Sequence, residues 1–211
     1  MVVKNIYWAF DKALSNKQCN EILDLLKQYK SKFATIDEVP KDTAKEKLSL
    51  KELKTVKKFR NSNVVWRDDP WLYKYIHPFI YEANKNAEWN YQWDWSEVCQ
   101  LTKYSKGQYY HWHQDAFREP YKENASSSSY IGKTRKLSSV VVLNNATEYK
   151  GGRLQFATQN NFNKPKIIES EYMLNKGSLI VFPSFIWHRV TPVTKGTRFS
   201  LTNWHLGNPY V

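Results

Sequence analysis

Cysteine and methionine are scarce in this chain, glycine is sparse, and nowhere do apolar residues run on for long. The two cysteines, Cys19 and Cys99, are too few and too far apart for a disulfide framework of the kind that staples small secreted domains. The longest apolar runs fall well short of the roughly 18 residues that a membrane-spanning helix needs, so a membrane span is excluded. Met1-Val2-Val3-Lys4-Asn5 breaks off before any apolar leader can form, so no signal peptide is expected. The expected location is therefore cytoplasmic, in a reducing compartment and without membrane attachment. No internal repeat, P-loop, dinucleotide fingerprint or CxxC zinc pattern occurs. No serine, cysteine or lysine has an evident base partner for covalent catalysis.

What the chain does have is aromatic residues and positive charge. Nine tryptophans and fourteen tyrosines stand among 211 residues, which suits a β core with a ring-walled cavity. At this length a single domain is expected over 1–211, with N-terminal helical support and a variable insert in 1–94 and a β core in 95–211. The net charge is +12. Such a balance can attract nucleic acid, anionic membranes or acidic partners. Much of the lysine is dispersed, however, or sits in the charge-dense stretch from Lys41 to Lys58, and lysine, asparagine, isoleucine and tyrosine are all frequent. That pattern reads as base composition and a solvated surface.

Organisation follows from spacing. Ile6 to Phe10 reads as a short strand. Ser15-Asn16-Lys17-Gln18 is a capping-box pattern, and Cys19, Ile22, Leu23, Leu26 and Tyr29 follow on one helical stripe. Asp37 to Leu53 is polar and weakly periodic, and reads as a loop or loosely helical insert. Arg60 to Trp66 is a strand candidate. Asp69 can cap a helix with Pro70 at its first position, and Trp71, Leu72, Tyr75, Ile76, Phe79 and Ala83 mark one face of it. Pro78 falls inside this pattern and should kink or split the helix; His77 beside it reads as structural. From Trp95 onward, short apolar runs alternate with turn residues, including Lys106-Gly107, Asn144-Asn145, Gly151-Gly152, Lys176-Gly177 and Lys195-Gly196. Short strands so punctuated point to an antiparallel sandwich or barrel. The segment from Phe117 to Thr134, with Ser126 to Ser129 inside it, reads either as a loose connection or as a lid. Asp68, Asp69 and Glu97 read as surface or capping carboxylates.

Four residues carry the chemistry. His113 and Asp115 stand two apart in Tyr109-Tyr110-His111-Trp112-His113-Gln114-Asp115, an aromatic run that favours an extended strand. Alternate residues of a strand face one way, so both side chains share a side. His188 ends a second apolar and aromatic run, Val181 to His188. Two neutral imidazoles and a carboxylate make the facial triad that holds ferrous iron and leaves the opposite positions open. Arg198 follows on the next strand, and an arginine reads a carboxylate through two parallel charge-assisted hydrogen bonds. A metal beside a carboxylate clamp suggests a dicarboxylate co-substrate. An HxD pair alone arises by chance; the two metal pieces each ending a strand-like run in this order, with the arginine following in the next strand, do not read so easily as coincidence.

With these blocks the chain resembles the 2-oxoglutarate/Fe(II)-dependent dioxygenases, and within them the prolyl-4-hydroxylase-like branch, from about Leu14 to Trp204. The most specific stretch is Tyr104-x-x-Gly107-x-x-Tyr110-x-x-His113-x-Asp115. Arg135 to Asn144, Gly151-Gly152-Arg153-Leu154-Gln155-Phe156, Lys176 to Pro183 with His188 to Val193, and Gly196 to Leu201 are similar to the later blocks. The resemblance implies a double-stranded β-helix (jelly-roll or cupin-like) core within a mainly β, α+β chain. It also implies Fe(II), 2-oxoglutarate and O2 as cofactors and co-substrates, with ascorbate in support. His113, Asp115 and His188 match the iron ligands. Arg198, with Ser200 or Thr202 and Tyr104, matches the residues around the far carboxylate of 2-oxoglutarate. Tyr110, Trp204 and Arg135 match positions at the peptide-proline pocket. Two departures stand out: the branch often carries lysine where Arg198 stands, and its histidine after the tryptophan lies one residue further on, where this chain has Leu206 after His205.

Three readings are open at this point. One is a peptidyl-proline hydroxylase acting on a protein or peptide. A second keeps the chemistry but changes the target to another protein side chain, a free amino acid or an alkylated nucleic-acid base; nucleic acid is less favoured, because no second arginine stands between Phe199 and Val211. The third is a cupin without 2-oxoglutarate, built on His111 and His113, but its glutamate should fall where Ala116 and Phe117 stand. Oligomeric state leaves no mark in the sequence.

Overall fold

Alternation along three long strands divides the apolar residues of this chain between two cores. The computed structural model describes residues 3–34, 50–158, 165–170, 172 and 175–210, and of residues 50–53 the backbone alone. In chain order its elements are β1 (Trp8–Phe10), α1 (Asn16–Gln28), β2 (Lys32–Phe33), α2 (Leu50–Phe59), β3 (Arg60–Asn61), β4 (Asn63–Arg67), α3 (Pro70–Asn86), β5 (Trp95–Ser96), β6 (Cys99–Tyr104) and β7 (Tyr109–His113). After a short 3-10 turn at Ser128–Tyr130 come β8 (Thr134–Val142), β9 (Tyr149–Gly151), β10 (Leu154–Thr158), β11 (Lys166–Glu169), β12 (Leu179–Pro183), β13 (Trp187–Val190), β14 (Val193–Gly196) and β15 (Arg198–Gly207). Among the described residues the large sheet runs β1-β12-β8-β15-β6-β4-β2, with β5 on β15; the small one runs β11-β10-β13-β7-β3; β9 and β14 form a separate pair. Every pairing is antiparallel. The mainly β, α+β class and the jelly-roll core expected from the sequence are therefore present.

On the large sheet, Leu137 and Val141 of β8, Leu179 and Val181 of β12 and Leu201 of β15 turn outward, against Cys19 and Ile22 of α1 and Leu72, Ile76 and Ile80 of α3. Their neighbours Val140, Val142, Ile180 and Phe182 turn inward, where Leu154, Phe156 and Val190 of the small sheet meet them. A fully buried aliphatic side chain is worth roughly 1.5–3 kcal/mol, so these rows fix the helices to one face and the small sheet to the other. Helix α1 begins as its sequence requires: Ser15 accepts from the Gln18 amide and Gln18 returns the bond to the Ser15 backbone.

Several expectations need correction. Pro78 does not divide α3, which runs unbroken from Pro70 to Asn86. Pro78 and Lys74, whose carbonyl it leaves without a helical donor, both lie on the exposed side, where water can take the missing bond. Asp69 stands at the N-cap of α3 but makes no capping bond; Arg67 holds its carboxylate at 2.7 and 2.9 Å. Glu97 is not on the surface but 6% exposed. The polar stretch from Asp37 lies outside the described residues as far as 49, and from Leu50 the chain is helical. The strands expected at Ile6 to Phe10 and Arg60 to Trp66 are present as β1 and as β3 with β4; β1, β2 and β4 extend the large sheet and β3 edges the small one. Both cysteines are free and buried. No helix among the described residues is long and apolar enough to cross a membrane.

Gly177 ties α1 to the sheet: its carbonyl accepts from the Leu14 amide at 3.0 Å, its φ is +86°, and a Cβ there would lie 2.0 Å from the Leu14 oxygen. Gly177→Ala should therefore lower stability by at least about 1–3 kcal/mol, the cost of a strained backbone before the clash is counted, as measured by urea unfolding.

Candidate metal centre

Strands β7 and β13 lie side by side in the small sheet, with His113 directly opposite His188. The chain leaves β7 at His113, and two residues later Asp115 swings in beneath both rings, held because its own amide and that of Ala116 donate to the Ser184 carbonyl at 2.9 Å each. The ligand atoms of His113, Asp115 and His188 all lie within 4.8 Å of one another. His113 Nε2 is 3.7 Å from Asp115 Oδ1, and His188 Nε2 is 3.5 Å from Oδ2.

The far side of each ring decides what the near side can do. His113 Nδ1 lies 2.7 Å from the His111 carbonyl, and His188 Nδ1 lies 2.9 Å from the Ile186 carbonyl. A carbonyl can only accept, so each Nδ1 donates its proton there, which turns each Nε2 toward the Asp115 carboxylate. Burial, with His188 alongside, holds the His113 imidazole well below its ordinary range and so neutral. Burial alone would raise the Asp115 carboxyl, but His188, His113, Arg135 and the Ser138 hydroxyl together hold it below the usual range. Two imidazoles and a carboxylate held below its usual range, converging in this way with each ring oriented by a backbone acceptor, are a donor set suited to a divalent metal with open positions. His111 is exposed and outside the cluster, which leaves the cupin pairing of His111 with His113 without a structural basis.

The same cavity is lined by Gln100, Tyr104, Tyr110, Val140, Leu154, Val190, Arg198, Thr202 and Trp204. Its polar wall comes from one strand pairing: Arg198 faces Tyr104, Ser200 faces Thr102, and Thr202 faces Gln100 across β15 and β6. Arg198 is 2% exposed. Its Nη1 donates to Ser200 Oγ at 3.1 Å, and its guanidinium carbon lies 5.5 Å from the centre of the Tyr104 ring. No carboxylate pairs with it among the described residues. Gly152 leaves room for it, since a Cβ there would come within 2.9 Å of Arg198 Cδ. Burial pushes the Tyr104 hydroxyl above the ordinary tyrosine range, so it keeps its proton and can donate.

Tyr110 stacks on His113, ring centres 3.5 Å apart, and stands on the small sheet while Trp204 stands on the large one. Arg135 does not line the cavity. Its guanidinium holds Glu97 by two bonds, at 2.5 and 2.7 Å, lies 4.5 Å from the Phe117 ring and 4.2 Å from that of Trp204, and donates to the Asp115 carbonyl at 3.2 Å. Tyr121 adds its hydroxyl to Glu97 at 2.8 Å, and the Val98 amide donates to the Tyr130 hydroxyl. The segment from Phe117 to Thr134 is thus pinned to the body beside the metal carboxylate. Glu97, Gln100 and Thr102 escaped the sequence reading. Alternation back from Tyr104 along β6 is the signal that places Gln100 and Thr102 on the cavity face.

Two outcomes follow. His113→Ala and Asp115→Ala should abolish tight binding of Fe(II) by calorimetry, because a three-ligand site cannot spare one, whereas His111→Ala should keep it. Glu97→Ala should lower stability by about 3–5 kcal/mol in chemical denaturation, because it leaves the Arg135 charge buried and unpaired. It should weaken metal binding as well, through the Asp115 carbonyl.

Residues 99–206, which contain the His-Asp-His cluster and every residue lining its cavity, match the model of the 2OG-Fe(II) oxygenase superfamily. A PKHD-type hydroxylase of Alteromonas mediterranea is 34% identical over 106 residues, covering 49% of this chain and 41% of the relative. That of Idiomarina loihiensis is 27% identical over 104 residues, covering 49% and 39%; the match spans about two fifths of these relatives' length. In fold, the chain resembles a Pseudomonas putida prolyl-4-hydroxylase (17% identity, 98% of this chain and 95% of that one, TM-score 0.61). It also resembles a Trichoplax adhaerens prolyl hydroxylase solved with a peptide of the hypoxia inducible factor oxygen degradation domain (18%, 96% and 84%, TM-score 0.64). The matched residues, slightly more than half of the chain, carry the His-Asp-His cluster and the buried arginine, and the chain belongs to the 2OG-Fe(II) oxygenase superfamily.

Proposed function

We propose that the chain is an iron(II)- and 2-oxoglutarate-dependent oxygenase that hydroxylates a C–H bond, with peptidyl proline as its target. The observation that carries this reading is Arg198: a guanidinium buried in the same cavity as the His-Asp-His cluster, with no carboxylate of its own among the described residues. An isolated buried charge is costly. A diacid that reaches from the metal to this arginine brings the missing anion with it.

His113, Asp115 and His188 would hold the metal. Arg198 would take the distal carboxylate of 2-oxoglutarate, Ser200 would fix the guanidinium through its hydroxyl, and Tyr104 and Thr202 would complete the carboxylate's hydrogen bonds. When bound, iron would activate O2, the oxidant, with 2-oxoglutarate as the co-reductant that leaves as succinate and carbon dioxide. The protein's own part is orientation and shielding. Phe156 and Phe182, both fully buried, lie against His188 and keep water from its back. Tyr110 and Trp204 offer aromatic faces on two sheets between which a pyrrolidine ring can lie. The prolyl hydroxylases among its structural neighbours support a protein or peptide substrate over a nucleic acid. Ascorbate would keep the iron ferrous, and two free buried thiols suit a reducing, cytoplasmic setting.

Incubation with Fe(II), 2-oxoglutarate and ascorbate should release succinate, stimulated by proline-rich peptides that gain one oxygen atom by mass spectrometry. Methylated single-stranded oligonucleotides should give no stimulation; stimulation by these alone would move the substrate to nucleic acid. Arg198→Ala should weaken anaerobic 2-oxoglutarate binding roughly thirtyfold to several thousandfold, the usual cost of about 2–5 kcal/mol for truncating one partner of a buried charge pair, while the metal still binds. Unchanged affinity would contradict the assignment.

A further inference from the structure

His205 belongs to β15 but faces away from the metal cavity. Its neighbour Trp204 lines that cavity, so alternation turns the imidazole to the other face of the large sheet. There it meets His77 of α3 and Trp93, with ring centres 5.9 and 4.9 Å away. His205 is fully buried. The function proposed above uses neither histidine.

The hydrogen bonds around His205 run in one direction. Ser139 Oγ gives its proton to the Asn203 carbonyl at 3.2 Å, so toward His205 Nε2 at 3.1 Å it can only accept, and Nε2 carries a proton. In a neutral ring Nδ1 then accepts, from the Ser96 hydroxyl at 2.9 Å. Ser96 has no second proton to offer, so it accepts from His77 Nε2 at 3.0 Å. A further proton on His205 Nδ1 would turn the Ser96 hydroxyl off that nitrogen and place a charge in a buried site. No carboxylate pairs with either imidazole among the described residues; Asp94 is held by Lys133 and Glu97 by Arg135. From α3, Tyr73 adds only a ring, β8 adds Ser139, and His77 is the titratable group whose charge acts on His205. Burial holds both imidazoles below their ordinary range, His205 well below it.

Ser96 anchors a weakly attached strand. Strand β5 meets β15 at two residue pairs, His205 with Ser96 and Leu206 with Trp95, and Trp95 is 46% exposed. One residue on, the Glu97 amide donates to the Trp204 carbonyl at 2.9 Å. The Glu97 carboxylate holds Arg135, which donates to the Asp115 carbonyl. We propose that His77, Ser96 and His205 form an acid-sensitive latch: with both rings neutral it keeps β5 on β15 and Glu97 on Arg135, and a proton on His205 lets β5 part from β15 and slackens the support of Asp115. In the open form the His205 ring returns to the ordinary imidazole range, about pH 6.5. Between that value and the lowered one of the closed form, the open form binds more protons. Each unit of falling pH there favours opening about tenfold for the one proton on His205, and above that range the latch stays shut.

Amide hydrogen exchange tests this, read as the ratio of the Glu97 rate to that of Val142, whose amide donates to the Ser178 carbonyl in the same sheet. The intrinsic pH dependence of exchange cancels in that ratio. Between about pH 7.5 and 5.5 the native ratio should stay level down to about pH 6.5 and then rise about tenfold per unit. His205→Phe keeps a ring against Trp93 and leaves Ser96 to His77 and Ser139 to Asn203; it should flatten the rise. Ser96→Ala should raise the ratio about tenfold already at neutral pH, the loss of a hydrogen bond. Coupling is reciprocal, so saturating Zn(II), a redox-inert ion for the His-Asp-His cluster, should lower the native ratio below pH 6.5 by about fivefold or more. A level ratio in the native protein, which needs no variant to fold, would overturn the latch. So would an equal rise in His205→Phe. A native rise that Zn(II) leaves unchanged would overturn the link to Asp115, and with it the latch as stated.

Discussion

A positive charge buried without a carboxylate beside it is the constraint around which this molecule is arranged. Arg198 is among the largest fully buried side chains of the chain, and the walls around it are built to receive an anion rather than to provide one. Ser200 fixes one end of the guanidinium, the Tyr104 hydroxyl is kept protonated by burial, and Gly152 leaves the space that the side chain fills. Taking such a charge out of water is expensive unless it is paired. Under the proposed function, the fold already holds part of the interaction that the far carboxylate of the co-substrate would complete.

The two sheets divide the remaining work. The large sheet is apolar where it meets α1 and α3, while on its inner face β6 and β15 carry the polar row from Tyr104 and Arg198 to Gln100 and Thr202. The small sheet contributes the two histidines by placing β7 against β13. Asp115 lies between them and belongs to neither strand. Its position depends on Ser184 from one direction and on Arg135, itself held by Glu97, from the other. The Asp115 carboxylate is thus set by a buried ion pair whose two members lie outside the His-Asp-His cluster.

How much of this could be read from residues alone varied with the range of the interaction. The capping box at Ser15 and the opposed faces of β8 and β12 depend on neighbours a few positions apart, and spacing reveals them. His113 ends β7, His188 lies in β13 and Arg198 begins β15, with Asp115 just past the end of β7; they were legible because each sits in or beside a strand-like run of the sequence, and the structure brings all four to one cavity. Glu97 was misread because its partner Arg135 is 38 residues away and nothing local marks either as buried. Arg135 itself looked like an entrance residue until its guanidinium was seen bound to Glu97. Asp69 sits where a cap should, but Arg67 two residues earlier competes for its carboxylate more effectively than a backbone amide. Pro78 was expected to kink or split α3 and does not split it; the helix is held by Leu72, Ile76 and Ile80 on its buried side, and the missing bond falls where water can replace it.

The central claim is that the cavity is made for a 2-oxo acid with a second carboxylate at the distance of Arg198. Anaerobic calorimetry on the Fe(II)-loaded protein, comparing 2-oxoglutarate with 2-oxopentanoate, tests it most directly, because the two differ only in whether the far end of the same five-carbon chain is charged. The account predicts that the uncharged compound binds at least about thirtyfold more weakly, as expected when one partner of a buried charge pair is missing, and that metal-free protein loses much of its affinity for 2-oxoglutarate. Equal binding of the two acids would contradict it.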